Sequence, residues 1–495
     1  MIVVAGYLIG IAALGSSFYR RKTTSTEYFL GGRAMSWLPV GISIIAADLS
    51  AVTVMGTPAW NYGHNFELAM MAFGYPMVAP LVIYIFVPFY SRLNLYTAYE
   101  YLERRFDLKV RVVTSLLFLI LRGMHVAVVI YAPSLVINLV TGLPVWQCIM
   151  FIGFFTTFYT TLGGMKAVIW TDVIQFVTVM LGVLLIFVAA LGAIQGGIPV
   201  AYRTALEAGR LRMFNFSTDP RELTSIWAVL VGGVVLTMGP LATDQAILQR
   251  LFTTKSTRDC TQSVLLQAIL VVPITALLSL AGTVLFVFYH FNPSHLAGLN
   301  STDAVMPFFA MRELPSGISG LIIASIFAAS MAVMSAGINA LTTATTVDFY
   351  QRIFRPNETP QQYARVGRIG TALWGAAATV LALFAPYLGE LALGYSKVSS
   401  FISGPMLGIF LLAVLTRRTT ATGALLGAIG GGLVLCAVQF GTEWSFFYQS
   451  GIGVAVTVVL GYTVSLLMAP PEESKVRGLT IYDKAHLDSA AGQKV

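Results

Sequence analysis

The chain has 495 residues, 57% of them hydrophobic and only 11% charged, with a formal net charge of +8. So few charges could not cover the surface of a soluble protein of this length, so the composition excludes a soluble domain and requires a membrane protein. The positive balance needs no nucleic acid, because basic loops facing anionic lipid account for it.

Apolar stretches of about 20 residues predict about thirteen transmembrane helices. They start near Ile2, Trp37, Glu67, Val113, Val145, Val168, Ile226, Ser263, Ile318, Thr371, Leu391, Ala421 and Phe446. The first lacks the cleavage pattern of a signal peptide and is expected to remain as a helix. The second is interrupted: in Ile44-Ile45-Ala46-Ala47-Asp48-Leu49-Ser50-Ala51-Val52-Thr53 an acid and hydroxyls cluster mid-span, ahead of Gly56-Thr57-Pro58. Asp172 opens the uncharged run from Val173 to Ala193. An acid at membrane depth costs several kcal/mol unless paired, protonated or wetted, which marks an ion or proton site.

The seventh span carries Gly239-Pro240 and then Asp244-Gln245. Gly-Pro inside a helix frees backbone groups, and at membrane depth these are tolerated only where they line a cavity or bind an ion. Asp244 reads as a polar anchor near the inner end of that span. The two breaks lie five spans apart, the spacing of paired repeats that each begin with a discontinuous helix. In the ninth span Ala329, Ala332, Ser335, Ala336 and Asn339 recur at three- and four-residue spacing. That face has almost no bulk and suits either close helix packing or ion lining. Arg122 and Lys397 are the cations placed within spans, and Ser396, Ser399, Ser400 and Ser403 pattern one later helix. The tail after Ala469 turns polar and predicts a flexible end. Cys148, Cys260 and Cys436 read as small apolar packing residues.

Lys and Arg fall mainly on one side of this topology, including Arg20, Arg21, Lys22, Arg33, Arg92, Arg104, Arg105, Lys109, Arg111, Arg250 and Lys255. The other side holds Arg203, Arg210, Arg212, Arg221 and Arg312. The bias predicts a multi-pass plasma-membrane protein with its N-terminus outside and its C-terminus in the cytoplasm. The sequence contains no Ser/His/Asp set, no zinc-spaced His/Cys cluster and no P-loop, so no enzyme and no cofactor is expected.

The run Tyr159-Thr160-Thr161-Leu162-Gly163-Gly164 through Ala167-Val168-Ile169-Trp170-Thr171-Asp172-Val173-Ile174-Gln175 resembles the signature of the sodium:solute symporter family. So do Tyr99-Glu100-Tyr101-Leu102-Glu103-Arg104-Arg105-Phe106, Asp244-Gln245 with Gln249-Arg250, and Arg417-Arg418 followed by Gly423-Ala424 and Gly427. The resemblance covers nearly the whole chain. It implies an all-α integral membrane protein with the LeuT-like fold and 5+5 inverted repeats. The transport core then spans 37–415, with repeats over about 37–195 and 225–415. Residues 1–36 form an added helix and loop, 416–470 two added helices, and 471–495 a cytoplasmic tail. The implied activity is cation-coupled symport by alternating access of a small polar organic solute such as a sugar, sugar acid or monocarboxylate. The implied partners are that solute, Na+ or H+, and the lipid bilayer.

By the same resemblance, the main sodium site takes the carbonyls of Ala46, Leu49 and Ala329. Its two hydroxyl positions fall on Ala332 and Val333, which carry no side-chain oxygen. A second sodium site falls on Asp172, Ser335 and Ala336, where the acid and one hydroxyl remain. Asp48 stands at the break, where the family often has a neutral residue. It suits a proton carrier, an oxygen donor to a remodelled sodium site, a partner for a cationic solute, or a structural cap; Asp172 is the other candidate for proton coupling. The solute positions fall on Asp48, Ser50, Thr53, Leu68, Ala72 and His125. His125 stands where a sialic-acid-type relative has an arginine; it binds an anion when protonated or a hydroxyl when neutral. Arg122 precedes it by three residues and lies near the same helix face. Competing expectations are a proton-coupled or uncoupled transporter, and a non-transporting membrane sensor.

Overall fold

The structure is a computed structural model that describes residues 2–19, 23–299, 301–385 and 391–483, with the side chains of 140, 391–398 and 400 left aside. Arg20, Arg21, Lys22 and the tail from 484 lie outside the described residues, as do the side chains of Ser396, Lys397 and Ser400. Helix α1 spans Ile2–Ser17 and α2 Ser25–Leu30, and α3 (Trp37–Asp48) and α4 (Ala51–Gly63) form one span bent by 62°. A 3-10 turn over Phe66–Phe73 leads into α5 (Gly74–Ile85), α6 (Val87–Arg92) and α7 (Ala98–Arg105). Then come α8 (Leu108–Thr141), α9 (Val145–Gly192) and α10 (Gly197–Glu207). The second half runs α11 (Ile226–Thr243), α12 (Gln245–Leu251), α13 (Thr257–Phe291), α14 (Val305–Glu313), α15 (Ser316–Ala344) and α16 (Pro360–Leu383). It closes with α17 (Leu391–Leu415), α18 (Ala421–Gly441) and α19 (Phe446–Leu466).

Among the described residues nine helices are long and apolar enough to cross a membrane, and the bent pair α3/α4 makes a tenth span. Helix α9 has 48 residues, about 70 Å at 1.5 Å per residue and twice a bilayer core. It is two spans, parted at Gly164 with φ 61° and ψ −164°. The stretches expected from Val145 and Val168 are its two halves. Every predicted start falls inside a helix, but several helices begin earlier. Asp107 caps α8, Ser256 caps α13, and Thr359 with Gln362 forms a capping box on α16. Capping side chains, not the edge of the apolar run, set those starts.

Helix α15 is the central pillar. Its apolar stretch is 94% buried, against 28–61% for the other single long spans. The small residues let neighbours close on it. A Cβ at Gly182 of α9 would fall 2.2 Å from the Ser325 hydroxyl, and one at Gly337 would fall 2.3 Å from Val126 of α8.

Two expectations are corrected. The second break is not at Gly239-Pro240: both sit inside α11, and Asp244 N closes on Pro240 O at 3.2 Å. The chain turns at Asp244 (ψ 117°), whose carboxylate accepts from Ala246 N at 2.7 Å and so starts α12. Proline near the end of a helix removes one ladder bond, whereas an aspartate N-cap supplies a new helix start. Nor is the tail loose throughout. Tyr101 Oη donates to Leu479 O at 2.8 Å, Lys475 Nζ reaches Glu103 O at 3.5 Å, and Thr480 is fully buried.

The tail docks beside a charged knot. Asp348 is fully buried and accepts from Thr97 Oγ1 (2.6 Å), Ser115 Oγ (2.8 Å) and Arg111 Nε and Nη2 (2.9 and 2.7 Å). Arg111 also pairs with Glu103 at 2.7 Å, and Glu103 with Arg352 at 2.6 Å. Burial alone would raise the Glu103 carboxyl, but bonds from Arg352 and Arg111 hold it below its ordinary value. Glu100, 3.8 Å from Arg111, is pushed by burial up to about 7, with Arg111 opposing.

Gly164→Ala is expected to cost about 1–3 kcal/mol, because a left-handed backbone is forced on an L residue and its Cβ would meet Tyr28 O at 2.9 Å. Gly10→Ala, with nothing within 4 Å of the new Cβ, is the neutral control. Thermal unfolding in detergent compares the two. A second expectation concerns Glu100. Its folded value lies above its ordinary one, so its contribution to stability is present at low pH and lost as pH rises through about 7. Glu100→Gln therefore raises the melting temperature at pH about 8 and leaves it unchanged at pH about 4.

Candidate ion and solute site

The break between α3 and α4 follows from local competition for hydrogen bonds. Leu49 N still donates to Ile45 O at 2.9 Å, but Ser50 N turns to Asp48 O at 3.0 Å instead of continuing to Ala46 O. Ser50 then caps α4, its Oγ accepting from Thr53 N at 3.2 Å. The Ala46 carbonyl thus leaves the helical ladder at membrane depth, the condition under which a carbonyl lines a cavity or binds an ion. Helix α15 packs against both α3 and α4, and Leu49 and Ala329 share one buried cluster with Ile45 and Ala51. Ala332 and Val333 are also buried on α15, so no side-chain oxygen comes from either.

Asp48 does not cap the break, since Ser50 does. Its Oδ2 accepts from Tyr75 Oη of α5 at 3.1 Å and Gln267 Nε2 of α13 at 2.7 Å. Arg122 and Asp244 lie within electrostatic reach. Arg122 Nη1 contacts Asp244 Oδ2 at 3.3 Å and His125 Nδ1 at 3.1 Å. Asp244 sits at the end of α11, where the chain breaks into α12, and meets α8 through Arg122. The two broken helices each carry an aspartate at the discontinuity, and His125 joins the group through Arg122.

Leu68 and Ala72 lie in the 3-10 turn, which packs on α11 and α13. Leu68 is half-buried and Ala72 buried. The start of that turn is held from a different side: Glu67 accepts from Arg212 and Thr224, both at 2.5 Å. Ser50 and Thr53 are drawn together by the cap, their hydroxyls 3.3 Å apart. Ser399 and Ser403 also face each other, at 3.5 Å.

Asp172 is fully buried and paired. Its Oδ2 accepts from Arg250 Nη2 at 2.8 Å and Ser43 Oγ at 2.5 Å, and Arg250 Nε donates to Ser43 Oγ at 2.7 Å. Arg250 Nη1 closes on Ala246 O at 2.6 Å. Ser335 adjoins the carboxylate, with its own hydroxyl donating to Ala332 O at 3.1 Å. Asp172 Oδ1 has no hydrogen-bond partner among the described residues; Ala336 adds no oxygen. Arg250, read from the sequence as a loop cation, has a fully buried side chain on α12. The missed partners of Asp172 were signalled by the acid itself, which could not stay bare at that depth.

Two broken helices, α3/α4 and α11/α12, set around a buried small-residue pillar, fit a secondary transporter of LeuT-like fold rather than an enzyme. Residues 28–431 match the sodium:solute symporter family, and the chain belongs to that family. It is 30% identical over 477 residues to the sodium/sialic acid symporter SiaT of Proteus mirabilis (strain HI4320), covering 95% of each chain. It is 31% identical to sodium-coupled monocarboxylate transporter 1 of Homo sapiens, covering 89% of this chain and 73% of that one. A solved sodium-coupled sialic acid symporter in a substrate-bound, outward-open state superposes with a TM-score of 0.89 at 29% identity, covering 95% of this chain and 98% of the other.

Breaking a buried pair by removing one partner costs about 3–5 kcal/mol. Arg250→Gln is expected to lose that much in thermal unfolding, because Asp172 is left uncompensated. The double variant Asp172→Asn with Arg250→Gln should lose clearly less than the sum of the single variants.

Proposed function

We propose that the protein drives uptake of a small polar organic solute across the plasma membrane with the sodium gradient, its N-terminus outside and its C-terminus in the cytoplasm. The observation that carries this reading is the Ala46 carbonyl released at the α3/α4 break beside α15. In this reading Ala46, Leu49 and Ala329 supply carbonyls to the main sodium position, and Asp172 with Ser335 forms the second. The solute lies against Asp48, Ser50, Thr53, Leu68, Ala72 and His125, within a core of two inverted repeats over about 37–195 and 225–415. The relatives carry sialic acid and monocarboxylates by name, and both solutes hold a carboxylate. Leu68 and Ala72 offer no hydrogen-bonding side chain, which favours the smaller and less hydroxylated of these classes.

One observation favours a second reading, proton coupling. A hard cation takes about six oxygens, and Ala332 and Val333 withhold two from the main position. Asp48, held between Tyr75 and Gln267, would then carry the proton.

Uptake into proteoliposomes under separate sodium and proton gradients decides between them. The expected result is uptake that follows sodium alone; uptake driven by a proton gradient without sodium overturns the reading. A hydrogen bond to a charged group contributes about 1.5–3 kcal/mol. Asp48→Asn is therefore expected to cut sodium-driven uptake by roughly tenfold or more.

A further inference from the structure

Helix α7 is short, yet it grips two distant parts of the chain. Its leading edge holds the α11/α12 break. Ala98 N donates to Gln245 Oε1 at 3.0 Å, Gln245 Nε2 donates to Tyr96 O at 2.8 Å, and Tyr99 Oη donates to Thr243 O at 3.1 Å. Its trailing edge holds the end of α17. Arg105 is fully buried and donates through Nε to Ala413 O at 3.1 Å and through Nη2 to Thr416 O at 2.8 Å. Those carbonyls belong to the last turn of α17 and its cap, where a helix leaves acceptors without partners. A movement of α7 therefore pulls on both the break and α17.

The chain beyond α19 closes over this coupler. Tyr101 Oη donates to Leu479 O at 2.8 Å and Lys475 Nζ reaches Glu103 O at 3.5 Å. The turn over Ile481–Asp483 packs on α17, and Arg417 lies over the Tyr482 ring at 5.5 Å. The Tyr101 ring meanwhile packs on Phe89 of α6 and Phe410 of α17. The seat of the tail is shallow. Across 466–482 only Leu479 and Thr480 are buried, whereas Ala98, Tyr99, Tyr101, Leu102 and Arg105 of α7 are all fully buried. Beside the contact lies a cavity of about 380 Å³ lined by Glu100, Glu103, Arg104, Arg111 and Lys475. The charged side of the tail thus borders open space rather than packed core. A segment with few buried apolar contacts opens at a lower free energy than the core it rests on.

We propose that residues 473–483 form a releasable latch: docked, the segment holds α7 against α17 and keeps the α11/α12 break closed to the face on which the tail lies, and undocked, it lets that face open. The symport reading above supplies only the requirement that the solute path open to this face in each cycle. A latch biases such an equilibrium through contacts present in one state alone. Here those contacts are Tyr101 with Leu479, Lys475 with Glu103, and the burial of Leu479 and Thr480. With the tail docked, Tyr101 is held by its ring and its hydroxyl together; undocked, it is held by the ring alone. Thr243 and Gln245 are buried in the docked form, so opening is readable as their exposure.

The test uses the full-length protein in inside-out vesicles and in detergent. Thr243→Cys, in a background with Cys148, Cys260 and Cys436 replaced by alanine, is labelled with a charged, membrane-impermeant methanethiosulfonate. Tyr101→Phe removes the bond to Leu479 O and keeps the ring packing, and deletion of 472–495 removes the whole latch. A neutral hydrogen bond shifts an equilibrium by roughly threefold to tenfold. Tyr101→Phe should speed labelling by about that factor, and the deletion by at least as much. Tyr448→Phe, which loses a hydroxyl contact to Ser225 at the opposite end of α11 from the break, should leave the rate unchanged. In hydrogen–deuterium exchange of the wild type, the 473–483 amides should exchange roughly tenfold or more faster than those of α7. Cooperative melting shows which variants fold, and where the deletion does not, Tyr101→Phe decides. Labelling at the wild-type rate in Tyr101→Phe, or in a folded deletion protein, overturns the proposal and leaves the tail a passive brace. Exchange of the tail as slow as that of α7 overturns it as well. Labelling needs no solute, so failure of sodium-driven uptake counts against the symport reading alone.

Discussion

A carboxylate buried among apolar helices must be neutralised where it stands, and this protein meets that need by reaching across helices for an arginine. Asp172 takes Arg250 and Ser43, which fastens α9 to both broken helices at once. Ser43 belongs to the first half of one break and Arg250 to the short helix after the other. The elements that carry freed backbone are thus pinned on the same acid, so moving either one disturbs the charge balance of the interior. The fold can tolerate broken helices because this knot fixes where their ends lie.

The buried pairs differ in how completely they are satisfied. Asp348 accepts four bonds from Thr97, Ser115 and Arg111. Arg122 and Asp244 meet through one contact, and two guanidinium nitrogens have no hydrogen-bond partner among the described residues. A saturated pair in a low-dielectric setting rigidifies, while an under-satisfied one is the place where an arrangement gives way. The Asp348 pair ties the π-helical segment Thr345–Phe354, which continues α15, to α8 and the tail-docking face, so that part behaves as a frame. The Arg122 pair spans from α8 to the α11/α12 break, and it is the weaker link between that frame and the broken helix.

Periodicity and composition made most of this architecture legible. Each apolar run became a helix, and the acid and hydroxyls around Asp48 located the first break, because Ser50 prefers to cap rather than extend a helix. The second break was misplaced by four residues for a related reason. Proline was weighed as the breaker, yet near a helix end it sacrifices one bond, while Asp244 supplies a new N-cap. The partners of Asp172 were not legible. Arg250 lies 78 residues away, and a basic residue next to the apolar Leu251 looks the same in sequence whether it faces lipid headgroups or a buried acid. Counting it as a loop charge followed a rule that knows only distance from the span end. The docked tail escaped notice because polar composition records the lack of a core, not the single tyrosine that catches Leu479 O.

The paired state of Asp172 bears on coupling. A cation drawn to this acid does not meet a free carboxylate but one whose Oδ2 already serves Arg250 and Ser43, with only Oδ1 open. Its charge is neutralised before any ion arrives, so an ion gains little there unless Arg250 moves away. Any affinity the site gains when Arg250 withdraws is, by linkage, the same free energy by which the ion favours that withdrawal. Arg250 sits on α12, beyond the hinge at Asp244 that Arg122 holds from the other side. Asp172, through Arg250, and Arg122, through Asp244, thus hold the same short helix near its two ends.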